Sequence, residues 1–113
     1  MDYAGVSQYL GARQSRNVKG KIATSINRLD EDTIVLRYHY TDIVTWSPGQ
    51  VTINSGGWQT TTTKRRMNNW LPQVIRVWQT DWVWNVHING LIIPFKDGIT
   101  FRQENHGVWL LAK

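Results

Sequence analysis

The chain has no cysteine, and among its 113 residues only two glutamates, four alanines, three prolines and three histidines. The missing cysteine excludes disulfides, thiolate metal sites and thiol nucleophiles, and it fits a reducing compartment. Few Ala and Glu means few of the residues that hold a helix without tertiary help. No apolar run approaches the length of a membrane span, so no membrane association is expected. The first residues, Met1-Asp2-Tyr3-Ala4-Gly5, carry neither a basic region nor an apolar one, so no signal peptide is expected. Charged residues make up 19% against 41% hydrophobic, a balance that argues against disorder.

What is abundant points to sheet. Ten Val, ten Ile and eleven Thr are β-branched, and seven Trp supply rigid core material. Residues 21–28 read as a first strand. Thr33–Tyr40 alternates, with Ile34, Leu36, Tyr38 and Tyr40 on one face. Residues 42–46 and 51–54 continue the pattern across a Pro48-Gly49 turn. Further strands follow over 74–79, 81–88, 91–95, 99–102 and 108–111, with Asn89-Gly90 a strong hairpin signal. Trp82, Trp84, Val86 and Ile88 share a face and read as core. One helix is predicted, over about 60–71: a Thr can cap it, Met67, Trp70 and Leu71 form its apolar stripe, and Pro72 ends it. The fold class is therefore α+β: a mostly antiparallel twisted sheet or partly open barrel, five to eight strands, with one helix packed across it. Residues 1–20 read as a basic N-terminal arm, and 21–113 as a single β-rich domain.

The formal net charge is +5, and the charges are segregated. Residues 3–29 hold Arg13, Arg16, Lys19, Lys21 and Arg28 and no acid; residues 43–80 hold Lys64, Arg65, Arg66 and Arg76 and no acid. Such stretches can face an anion, or they can simply solvate a β protein and blunt its edges. Between them, Asn54-Ser55-Gly56-Gly57-Trp58-Gln59-Thr60-Thr61-Thr62-Thr63-Lys64-Arg65 joins glycines, hydroxyls and cations to a helix start. That combination can hold a phosphate. It lacks the Gly-Lys-Thr spacing of a P-loop. The plainer reading is a strand-to-helix turn with a Thr cap. Arg76 and Trp78 alternate on one strand and could stack a base, or Trp78 could be covered by an Arg stem.

Catalytic patterns are missing. His39, His87 and His106 have no metal-ligand spacing, no carboxylate pair is evident, and Ser55 is not in a nucleophile elbow. No enzyme activity, cofactor or metal is expected.

Three segments carry a resemblance. They are Thr41-Asp42-Ile43-Val44-Thr45, Val51 through Thr60 with its Asn54-Ser55-Gly56-Gly57-Trp58 run, and Thr62-Thr63-Lys64-Arg65-Arg66-Met67-Asn68. With Gly11-Ala12-Arg13-Gln14-Ser15-Arg16, Leu71-Pro72 and Pro94-Phe95-Lys96-Asp97-Gly98, this resembles a family of small proteins encoded by bacteriophages and related mobile elements. The resemblance implies a phage origin and action in the host cytoplasm; it carries over no catalytic residue. The functional expectation is a non-catalytic accessory protein that binds a nucleotide or nucleic acid, for instance by sequestering a host defence signal. Its binding residues would be Gly56, Gly57, Trp58, Thr60, Thr62, Thr63, Lys64 and Arg65, with Arg13 and Arg16 from the arm. The alternatives are an inhibitor docking on a host protein, and a virion or assembly component. A homo-oligomer is expected from the unpaired edges of a small sheet.

Overall fold

In a computed structural model, residues 1–112 are described, His106 by its backbone alone. The alternating segments form ten strands, all paired antiparallel. In chain order they are β1 (Ser15–Asn17), β2 (Thr24–Asp30), β3 (Thr33–Tyr38), β4 (Thr41–Ser47), β5 (Gln50–Ile53), β6 (Ile75–Thr80), β7 (Val83–Ile88), β8 (Leu91–Pro94), β9 (Ile99–Glu104) and β10 (Val108–Leu111). Seven make one sheet in the order β1-β2-β3-β4-β5-β9-β10; β6-β7-β8 make a second. The larger sheet stays open at β1 and β10, so it is not a closed barrel. Helix α2 (Thr61–Trp70) matches the expected one, and it packs against β6 and β4. The α+β expectation is met, with more strands than the five to eight read from the pattern.

A second helix, α1 (Tyr3–Leu10), lies where a loose basic arm was expected. Gly5 inside and Gly11 after it argued against a helix. Two local contacts prevail. The Asp2 carboxylate accepts the Gly5 N–H (2.8 Å), and Val6 and Leu10, at i and i+4, are both buried in the common core. Trp46 is also buried there, and its indole N–H donates to the Met1 carbonyl (2.8 Å). The basic residues that follow are exposed, yet β1 pairs with β2 through Ser15, Arg16 and Asn17. The first twenty residues are thus a docked part of the structure. Strand β2 starts at Thr24, not residue 21, because Lys21 N–H turns back to the Val18 carbonyl (3.1 Å) and Ala23 takes a positive φ of 54°.

Between β5 and β9 the chain leaves the large sheet, builds α2 and the whole second sheet, and returns. Exit and return meet at one side-chain pair. The Ser55 N–H (2.7 Å) and hydroxyl (2.8 Å) both donate to Asp97 Oδ1, and Gly98 N–H donates to the Ile53 carbonyl (2.9 Å). Ser55 is buried. Both sheets and both helices feed one apolar cluster that contains Val6, Ile34, Trp46, Met67, Val77, Trp84 and Phe101.

Trp82 departs from its expected place in the core; it is 90% exposed. The β6–β7 turn falls at Asp81-Trp82, one residue later than the Thr80-Asp81 joint the sequence suggests, and lifts Trp82 out of the strand. Both turn residues have positive φ, 51° and 68°. The β7–β8 hairpin uses the same conformation at Asn89 and Gly90 (52° and 79°) with residues that suit it.

Three outcomes follow from this packing. Leu10→Ala should lower unfolding free energy by about 2–5 kcal/mol, measured by urea denaturation, because it leaves a core cavity; a loss below about 0.5 kcal/mol would mean α1 is not docked. Asp97→Ala should cost about 1–3 kcal/mol by stranding the Ser55 donors, while Asp97→Asn, which keeps an acceptor oxygen, recovers most of it. Trp82→Gly should raise the melting temperature by a few degrees, since a left-handed non-glycine residue costs roughly 1–2 kcal/mol; a fall would show that the indole holds the fold.

Candidate functional site

The β3–β4 hairpin is a scaffold with an unusual tip. Arg37 and Asp42 face each other across it as an ion pair (2.7 Å), and hydrogen bonding to Asp42 raises the Arg37 pKa further above its ordinary value. Between Leu36↔Val44 and Arg37↔Asp42 the register slips, so Ile43 is an extra residue in β4. Such bulges bend a strand and redirect its side chains. The hairpin closes through His39 and Tyr40. His39 has φ 55°, its N–H donates to the Ala23 carbonyl (2.8 Å), and its ring lies 4.4 Å from that of Tyr38. Tyr40 is 100% exposed.

Beside this tip runs the segment from Ser55 to α2. Gly56 has φ 62°, and a Cβ there would meet Thr41 Oγ1 at 2.7 Å, so both conformation and space demand glycine. The amides of the turn are used within it. Gly56 N–H donates to Asn54 Oδ1 (2.8 Å), Gly57 N–H to Ser55 Oγ (3.1 Å), and Trp58 N–H to the Ser55 carbonyl (3.0 Å). Thr60 then caps α2, accepting the Thr63 N–H (3.1 Å). The glycines, both exposed, thus use their amides in shaping the turn.

Hairpin tip and capped helix enclose a cavity of about 370 Å³. Tyr38, His39 and Tyr40 form one wall and Trp58 another. Ile43, Thr41, Ser55, Thr60 and Thr63 complete the lining. Trp58 is 69% exposed. The cation behind the wall is Arg66: its guanidinium carbon is 5.7 Å from the Tyr38 ring centroid, and its Nε donates to Thr24 Oγ1 (3.2 Å).

Of the residues singled out from sequence, Trp58, Thr60 and Thr63 line this cavity together. Gly56 and Gly57 shape the turn beside it. Thr62, Lys64 and Arg65 follow in the first turns of α2 without lining the cavity, Lys64 half-buried and Arg65 exposed. Arg13 is exposed, and Arg16 stacks on Tyr9 (4.4 Å) and donates to its carbonyl (2.9 Å), against α1. Sequence reasoning missed Tyr38, His39, Tyr40 and Arg66. The alternation of Thr33–Tyr40 has an ordinary strand length and hid that its last two residues are the turn. Trp78 is exposed beside the His87 ring (5.7 Å), while Arg76 points its guanidinium at the Asn68 carbonyl (3.0 Å).

Among the described residues, only Arg37 and Arg102 of the basic side chains sit in ion pairs. No helix among them is long and apolar enough to cross a membrane. Neither the curated proteins nor the solved structures compared with the chain contain a match. A family model does match, described as Kyanoviridae Gp96 protein, over residues 7–102. That span holds the hairpin tip, the glycine turn, α2 and the second sheet. The chain belongs to this phage protein family.

Proposed function

We propose that this phage protein is a non-catalytic accessory protein that binds a nucleobase-bearing anion in the cavity between the β3–β4 hairpin tip and the start of α2. One observation carries the reading: Tyr40 and Trp58, two largely exposed aromatic side chains, stand on walls of the same cavity. Leaving such a side chain in water forgoes about 1.5–3 kcal/mol of burial. Stacking on a base recovers a comparable amount, about 1–3 kcal/mol, because every base has a flat face. The charge agrees in sign. The net charge is +5, and nearly all the described cations are free of ion pairs. Thr41 adds a polar residue to the lining. Held without turnover in the host cytoplasm, such a ligand is withdrawn from the host, which is how a defence signal would be silenced.

Calorimetric titration with the four nucleoside monophosphates, cyclic mono- and dinucleotides, and short DNA and RNA oligomers tests this. Trp58→Ala and Tyr40→Ala should each weaken binding about tenfold. Both should leave the melting temperature within a degree or two, since neither ring is part of the core. Absence of wild-type binding across the panel, or unchanged affinity in both variants, would overturn the reading.

A further inference from the structure

A second cavity, of about 510 Å³, opens on the other side of the hairpin tip. It shares His39 and Tyr40 with the first. Its remaining lining comes from β1, the loop before β2, and β2 itself: Asn17, Lys21, Ala23, Thr24 and Ser25. We propose that the ligand is a single strand of nucleic acid, DNA or RNA, that crosses the His39–Tyr40 turn and fills both cavities, and not a lone nucleotide. This rests on the reading above and specifies its ligand.

The two cavities differ in chemistry as the parts of a polynucleotide differ. The first is lined by Tyr38, Tyr40, Trp58 and Ile43, surfaces for a base. The second offers the Lys21 ammonium, the Asn17 amide and the Ser25 hydroxyl, groups that take a phosphate or a sugar. Base and phosphate alternate along a strand, and grooves that bind single strands combine aromatic platforms with cations tracking the backbone. Tyr40 is the crest between them. It lines both cavities, and its fully exposed ring is free to meet a ligand from solvent.

The spacing between the cavities is held by bonds. His39 N–H on the Ala23 carbonyl (2.8 Å) fixes the tip to the loop that lines the second cavity. Arg66 ties the same two walls from beneath, bonded to Thr24 of one and lying against Tyr38 of the other. A rigid pair of subsites favours a ligand with a fixed repeat, since little freedom is lost in ordering the protein. Lys21 is exposed and lies in the acid-free stretch of residues 3–29, so no neighbouring carboxylate in sequence competes for it. Within a duplex the bases are stacked on one another, so only its terminal pairs have a free face for Tyr40 or Trp58.

The test is fluorescence anisotropy and calorimetry of the full chain with 5′-AMP and with adenylate oligomers of two, four and eight nucleotides, in deoxy and ribo forms. A self-complementary duplex serves as a further probe. Affinity should rise at least tenfold from AMP to the four-nucleotide strand. Lys21→Gln should weaken oligomer binding severalfold, leave AMP binding within twofold, and flatten the log–log salt dependence by about 0.7 for the single lost phosphate contact. Stronger binding of either sugar form supports the proposal. AMP binding as tightly as the oligomers, with Lys21→Gln silent, would overturn it and leave the single-cavity reading standing. A duplex binding as tightly as the strand would also overturn it. Failure of AMP and oligomers alike would remove both.

Discussion

Asp97 Oδ1 takes two bonds from Ser55, and on that small clasp the layout of the molecule depends. Residues 56–96 form one long excursion from the large sheet, carrying α2 and all of the second sheet. Without a fixed closure, β9 would have to find β5 by apolar register alone, Ile53 opposite Ile99 and Val51 opposite Phe101. A buried serine that donates through both backbone and side chain to a carboxylate removes the ambiguity, because charge-assisted bonds are short and directional. The Ser55 hydroxyl also accepts from Gly57 N–H, so closing the excursion sets the path of the glycine turn. The same bonds therefore place Trp58 opposite the hairpin tip.

Local pattern revealed most of the elements and little of how they meet. Period-two alternation located the strands after residue 33, and Thr60 with Pro72 bracketed α2 to within a residue. The failures share a cause: each needed a partner distant in sequence. Val6 and Leu10 make a helix only because a core waits for them; in isolation Gly5 and Gly11 outweigh two apolar side chains. The Ser55–Asp97 bond spans forty-two positions, and neither residue type announces its mate. Trp82 was misplaced by a one-residue shift in the turn, enough to move a side chain from core to solvent.

The candidate site was half legible for a related reason. Glycines and threonines before a helix mark a special backbone, and the segment does border the cavity. But Gly56 is needed to pass Thr41, and the amides are consumed inside the turn. Composition can show that a turn is unusual; it cannot show which groups face outward. The opposite wall comes from Tyr38–Thr41, a hairpin tip without the Gly or Asn that makes such tips visible. Its contribution appears only once β3 and β4 are paired.

Several turns of this fold obey local rules. Asn89-Gly90 fits its positive φ values, and Gly20, Gly49 and Gly98 occupy theirs. The rules are broken at Ala23 and at Asp81-Trp82, and broken together at His39, a non-glycine residue at φ 55°, and the neighbouring Tyr40, a phenol ring wholly in solvent; these last two concern the cavities. Either could be relieved by a smaller or more flexible residue at no cost to the core, since neither is part of it. Departures of this kind tend to gather where the chain does something other than fold. Two of them fall on consecutive residues that line both cavities, with Trp58 lining one and Lys21 and Ala23 the other. Bonds from His39 to Ala23 and from Arg66 to Thr24 hold the backbone of that turn in place. An exposed aromatic surface on a braced turn, beside an uncompensated cation, is matched by a flat, anionic partner, and the geometry favours one that reaches across the turn.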